Sequence, residues 1–296
     1  MNKLIFNIYR VLVPKPLRTI ILKKNLRKKI LSHFASLPGS EVNDEQREIL
    51  KFLENNPVKI FPYTFYDNYS PEKIEVSFDK EKGMRYVLQE GKKLYFKKRW
   101  GTKRIKRAYS DLLREQDIES PHRYLTDTFQ VVSNDVIADI GAAEGNFSLS
   151  VIEKVRKIYL FEYDAEWTEA LMATFAPWSE KVEIINKYVS DRNDESHIRF
   201  DTLFESKKDI TFLKIDVDGA ESIVLDSCNN VFKSERSFKV ALCTYHKNND
   251  ENEFTKLLKD HGFTVTPSKG YMIHYYDKQM KAPYLRRGLI RALRTM

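Results

Sequence analysis

Cysteine is scarce in this chain. Cys228 and Cys243 are the only two in 296 residues. They show neither a pairing pattern nor metal-ligand spacing, and both read as reduced core residues of a cytoplasmic protein. No run of 18 or more apolar residues occurs, so the sequence offers no membrane span. Residues 1–13 are broken by Asn7 and Arg10 and lack a small-residue cleavage site, which sets them apart from a secretory signal. Internal repeats and low-complexity tracts are absent. No G-x-G-x-x-G follows a strand, which excludes the pyrophosphate-cradling dinucleotide fingerprint.

Acidic residues are missing from both ends. Residues 1–40 carry nine Lys or Arg and no acid, and residues 278–296 carry six and none. The middle therefore holds 35 basic against 42 acidic residues, although the whole chain is +8. Both ends have helical apolar spacing: Leu22, Leu26, Ile30 and Phe34 at one, Leu285, Leu289 and Leu293 at the other. Two readings are open. The ends dock on an anionic membrane surface, or they pack on the main domain and turn a solvated basic face outward. RNA is a third partner for such charge, but the acidic middle offers no continuous basic track and no DNA binding is expected.

The most informative stretch is Val136 to Asn146, an apolar strand ending in Asp139 and a turn bracketed by Gly141 and Gly145. A buried parallel strand needs such a run, and open α/β sheets bind ligands at the carboxyl ends of their strands. A carboxylate facing this turn suits a ligand with an ammonium group and a ribose, as S-adenosylmethionine has. A tight turn with no ligand is the alternative. Further apolar strands are predicted at 157–162, ending in Glu162, at 182–185, at 210–215, running into Asp216, and at 238–244, running into Tyr245 and His246. Helices are predicted between them at 146–155, 165–175, 220–228 and 251–261. This alternation implies a doubly wound α/β fold with a mostly parallel sheet.

Residues 41–129 read as a separate cap region. Short strands at 76–78, 86–89 and 94–96 with two glycine turns predict a small β-meander. A helix over 108–117 follows, and Ser120-Pro121 predicts the start of another. Gln116, His122, Arg123 and Tyr124 stand just before the sheet and are candidates to line a pocket. A helical lead-in without a ligand role is the alternative.

Asp-Ile-Gly-Ala-Ala-Glu-Gly-Asn-Phe-Ser-Leu (139–149), Phe-Glu-Tyr-Asp (161–164) and Phe-Leu-Lys-Ile-Asp-Val-Asp-Gly-Ala-Glu (212–221) together resemble an FkbM-type methyltransferase. The resemblance covers about residues 130–276. It implies the class I adenosylmethionine-dependent fold with seven strands, and O-methylation, often of sugar hydroxyls. The segments are then a basic amphipathic helix (1–40), a cap (41–129), the methyltransferase domain (130–277) and a basic tail (278–296). Cofactor contacts are expected from Asp139, Gly141, Ala142, Gly145, Asn146, Glu162, Tyr163, Ser190, Asp191 and Asp216. His122, Arg123, Tyr124, Asp218 and Tyr245 are expected on the acceptor. Tyr163 stands where the family usually has proline, and Tyr245-His246 where its last core strand commonly ends in an acid.

An alcohol loses its proton during methyl transfer and benefits from a general base. His246 is the first candidate, because an unperturbed imidazole titrates near neutrality, and Asp216 is the second. Asp218 and Glu221 fit helix capping, and with Asp216 they also form a set of acids that suits Mg²⁺. No metal is assigned. His33, His197, His261 and His274 read as surface or packing residues. The fourth strand lacks the Asn/Asp-Pro-Pro-Tyr turn of amino-group methylation, and no cysteine sits at that edge for a covalent route to cytosine C5. The expectation is a cytoplasmic, adenosylmethionine-dependent O-methyltransferase with a sugar or glycan acceptor. The alternatives are an RNA or lipid-linked glycan methyltransferase and a non-catalytic adenosylmethionine-binding scaffold at the inner membrane face.

Overall fold

The strand before the glycine turn, Val136–Ile140, is buried at all five positions. It lies inside a seven-stranded sheet in the computed structural model, which describes residues 14–234 and 236–295. The strands of this sheet are β1 (Val136–Ile140), β2 (Lys157–Phe161), β3 (Val182–Ile185), β4 (Phe212–Ile215), β5 (Phe238–Cys243), β6 (Thr264–Pro267) and β7 (Leu289–Arg294). Their spatial order is β6-β7-β5-β4-β1-β2-β3. All pairings are parallel except those of β7, which runs antiparallel between β5 and β6. The order reverses at β1 and β4, so their carboxyl ends flank the crevice where such sheets bind ligands.

Alternation along the strands supplies both faces. Ala138, Leu213, Leu242 and Ile290 belong to one core layer, and Ile137, Phe212, Ala241 and Leu289 to the other. Burial on both faces explains why the central strands read as unbroken apolar runs. The helices are α1 (Lys15–Ala35), α2 (Asp44–Asn55), α3 (Thr102–Glu115), α4 (Asn146–Val151), α5 (Ala165–Phe175), α6 (Phe200–Ser206), α7 (Glu221–Asp226), α8 (Asn229–Lys233) and α9 (Asp250–Asp260). The expected meander is present as an antiparallel sheet of residues 77–79, 84–89 and 92–95. It packs under α4 and α5, with Tyr95 N donating to Thr174 Oγ1 at 3.0 Å.

The basic tail is not a helix. Residues 289–294 form β7, and the sheet therefore extends beyond residue 277. Apolar residues four apart lie on one side of a helix, but an even spacing also keeps them on one face of a strand. The arginines of this segment brace the fold. Arg291 Nε donates to the Tyr124 carbonyl at 2.9 Å, Arg287 pairs with Glu45 at 2.5 Å, and Arg286 pairs with Asp277 and Asn248. These guanidinium groups are bonded within the chain, and the amphipathic helix expected here is absent. Ser120-Pro121 starts a turn and not a helix: Ser120 Oγ accepts from His122 N at 3.2 Å.

The amphipathic stripe at the other end is a helix. Leu26, Ile30 and Phe34 are buried against Ile49 and Leu53 of α2 and against Tyr271, Ile273 and Leu285. The first turns of α1 differ, with Leu17, Ile20 and Leu22 about half exposed or more (48%, 61% and 49%). Residues 1–13 of the expected basic segment lie outside the described residues.

Candidate active site

Asp139 at the tip of β1 does not face a ligand. It is fully buried, with Oδ2 accepting from Ser148 Oγ at 2.7 Å and Oδ1 lying 3.0 Å from Lys214 Nζ. The same ammonium donates to the Gly141 carbonyl at 2.7 Å. Burial opposes the charge on Lys214, but Asp139 and Asp216 outweigh it and hold the ammonium well above its usual range. The expected ligand-facing carboxylate is therefore one half of an internal ion pair that fixes the turn.

The glycines are required for related reasons. Gly141 has φ +78°, and a Cβ there would collide with the Asp216 carbonyl oxygen, where the β1 and β4 turns meet. A valine at 141 would thus disrupt this contact between turns before it filled any ligand space. Gly145, with φ +80°, lets α4 start against Leu171 and Phe175 of α5, 2.7 and 2.8 Å from where its Cβ would stand. Ala142 is buried beside it. The carbonyl of Asn146 accepts from Gln89 Nε2 at 2.8 Å, which ties the turn to the meander.

Glu162 fits a ribose-binding role. Its Oε2 accepts from Ala143 N at 3.0 Å and its Oε1 from Asp164 N at 2.8 Å. The side chain is half-buried, and each oxygen keeps a lone pair for a hydroxyl donor. Tyr163 is exposed and stacks on Tyr188 with ring centroids 4.3 Å apart. Asn186, past the end of β3, donates to the carbonyls of Glu162 and Tyr163. Ser190 and Asp191 follow it and bond to each other at 2.9 Å.

Asp216 is the hub of the opposite side. Its Oδ2 accepts from Tyr124 OH at 2.8 Å and lies 3.5 Å from His122 Nε2. Its Oδ1 lies 3.5 Å from Tyr245 OH and 3.9 Å from His246 Nε2. Burial opposes ionisation, yet His122, Lys214 and His246 outweigh it and hold this carboxyl far below the usual range. His122, Tyr124, Asp216, Tyr245 and His246 are thus brought together as expected, though 122–124 and 245–246 lie far apart in the chain. Arg123 is not among them. Its Nε donates to the Leu125 carbonyl at 2.9 Å, and it lines a separate cleft of about 550 Å³ with Thr264, Thr266 and Arg291.

His246 departs from its expected role. Burial disfavours the imidazolium, but Asp218, Glu221 and Asp216 outweigh burial and raise its pKa to about 10. The raised value disfavours the neutral ring that proton abstraction needs, which leaves Asp216 as the better-placed base. Glu221 is fully buried, and its Oε1 accepts from Val217 N at 3.1 Å and Gly219 N at 3.3 Å. It orders the turn after β4. Asp218, with φ +51°, projects into solvent and makes no cap.

Two acids that the motif reading left out complete the site. Glu144 lies inside the glycine turn, nearly buried, and burial pushes its pKa up to about 8. Glu115, at the end of α3, is pushed up to about 7, also by burial. Glu115, Asp139 and Lys214 face Glu144, and Lys214 is the only cation among them. Among the described residues neither Glu115 nor Glu144 has an ion pair of its own. Carboxyls of this kind suit a ligand that brings positive charge, such as an ammonium and a sulfonium. The position of Glu144 within the glycine motif and the charge of Lys214 within an apolar strand were the available sequence signals.

The raised value for Glu144 has a definite sign. Its folded pKa lies above the ordinary value of 4.5, so the stability it contributes is complete below about pH 4.5 and is lost as pH rises through about 8. Thermal melts of the free protein should fall between about pH 5 and 9, and Glu144→Gln should flatten that fall. Parallel pH curves for the two proteins would refute the assignment.

Residues 133–265 match the family model described as the methyltransferase FkbM domain. None of the curated proteins matches the chain. Among solved structures, an FkbM methyltransferase from Methylobacillus flagellatus superposes with a TM-score of 0.43 at 12% identity, over 65% of this chain and 53% of that one. This chain thus spans about half the length of that relative. A precorrin-6y C5,15-methyltransferase from Geobacter metallireducens gives 0.37 at 14% identity, over 56% and 82%. A putative tRNA methyltransferase from Streptococcus pneumoniae, in complex with S-adenosyl-L-methionine, gives 0.38 at 15% identity, over 56% and 69%. The motifs and the strand order agree with the family match, and residues 133–265 are similar to an FkbM methyltransferase domain.

Proposed function

We propose that this domain methylates a hydroxyl group, and that the acceptor is a sugar of a glycan or glycosylated metabolite. The observation that carries the reading is a series of rings leading to Asp216. Tyr276 is exposed (67%), and its ring centroid lies 6.1 Å from that of His274, which lies 5.0 Å from that of Tyr245. Tyr245 OH then lies 3.5 Å from Asp216. Aromatic faces pack against the apolar faces of a sugar ring, and their polar edges meet its hydroxyls.

The cofactor supplies a methyl group already activated on a sulfonium. Glu162 would accept from the ribose hydroxyls of the bound cofactor, while Glu144 and Glu115 would balance its positive charge. Tyr124 and His122 hold Asp216 through Oδ2, which leaves Oδ1 toward Tyr245 and His246. Asp216 takes the hydroxyl proton. A strongly ionised carboxylate is a weak base, but an alcohol oxygen that has gained a methyl group while keeping its proton is a very strong acid. Position therefore matters more than basicity.

Asp216→Asn should lower turnover by roughly 10²–10⁴-fold, the usual worth of a general base, with cofactor affinity measured beside rate by calorimetry. Near-full turnover in that variant would remove Asp216 from the chemistry.

A second proposal concerns location. Leu17, Ile20 and Leu22 are exposed on α1 near the exposed Lys24, Lys28 and Lys29. We propose that this end of the helix rests on an anionic membrane surface. No described helix is long and apolar enough to cross a membrane. Replacing the three lysines with glutamine should weaken sedimentation with anionic liposomes at low salt, by about 1 kcal/mol for each lysine. No binding by the unaltered protein would end this proposal.

A further inference from the structure

The turn after β4 and the end of β5 hold a second set of groups, of which the transfer chemistry uses only Asp216. Asp216, Glu221 and His246 each offer one ligand atom, and the three atoms lie within 4.8 Å of one another. Ligand atoms bound to one ion at ~2.0–2.2 Å stand ~3.0 Å apart when adjacent and ~4.3 Å apart when opposite. The set therefore needs only a small contraction to close around an ion. Glu221 is fully buried and His246 is 8% exposed. Glu221 Oε2 and both ring nitrogens of His246 lack a hydrogen-bond partner. The His246 Nδ1 to Glu221 Oε1 approach of 2.9 Å is thus close without being directed as a hydrogen bond, which is how two ligands of one cation meet. Asp218 stands at the mouth, 3.6 Å from His246 Nε2.

We propose that Asp216, Glu221 and His246 bind a divalent cation, which displaces the ring proton of His246 to solvent, with Asp218 at its solvent side. An imidazole nitrogen with carboxylates suits Mn²⁺ or Zn²⁺ better than Mg²⁺ or Ca²⁺. The site spares Asp216 Oδ2, which is held by Tyr124 on its other side. The proposal deepens the hydroxyl-acceptor reading and rests on it for its consequence. An acceptor hydroxyl brought against the ion becomes more acidic, and its proton then passes to Asp216 or to solvent.

Mn²⁺ binding to the purified, chelator-stripped full chain tests this. Calorimetry should show saturable binding of one Mn²⁺ per chain, weakened at least tenfold in His246→Gln and in Glu221→Gln. Because Glu221 orders its turn, the unaltered protein supplies an independent check. With ¹³C-labelled histidine, substoichiometric Mn²⁺ should broaden the His246 ring signals more strongly than those of His33 and His261. Absence of saturable binding, or broadening that spares His246, would overturn the proposal. Hydroxyl methylation that continues unchanged in a chelator, with no Mn²⁺ bound, would also overturn it and leave the acceptor reading standing. Mn²⁺ bound at His246 in a protein that methylates no hydroxyl would support the ion site and end the acceptor reading.

Discussion

The structure depends on one buried ammonium. Lys214 enters the sheet from β4, binds Asp139 of β1 and caps the Gly141 carbonyl. It thereby fixes the two strand ends between which the crevice opens. A buried ion pair gains little over an apolar substitute, but losing one partner leaves an unpaired charge and costs about 3–5 kcal/mol. The contact of Gly141 with the Asp216 backbone shares this arrangement. The cofactor side of the site and the acceptor side are thus held together by the same few atoms.

The charge balance around that clamp explains what the site selects. Asp139, Glu144, Glu115, Asp216 and Glu221 gather at the carboxyl edge, against Lys214, His122 and the His246 ring. Lys214 is committed to Asp139, so the remaining acids must be protonated, shared with histidine or matched by a ligand. Glu115 and Glu144 show the first outcome, with pKa values pushed up to about 7 and 8. His246, raised to about 10, shows the second. A cofactor that carries positive charge supplies the third.

Much of this was legible in the sequence. β1 to β5, the glycine turn, Glu162 and Asp216 follow from apolar runs that end in acids, because buried parallel strands leave little room for other patterns. β7 was hidden because a spacing of four suits both a helix and a strand face, and its arginines looked solvated although they bond backbone carbonyls. The role of Asp139 was hidden because its partner, Lys214, lies far along the chain. The charge environment of His246 was hidden because Glu221, which fits a helix cap in sequence, turns inward to order the loop beneath the ring. For Asp139 and His246 the surroundings depend on a partner elsewhere in the chain that local pattern does not contain.

The most direct test of the central claim is to trace the methyl group itself. The purified protein would be incubated with trideuteromethyl-labelled S-adenosylmethionine and a panel of glycans, and the products analysed by mass spectrometry with linkage analysis. The account predicts label in an ether at a sugar hydroxyl, stable to alkaline treatment. Label found only on nitrogen or carbon of an acceptor would contradict it.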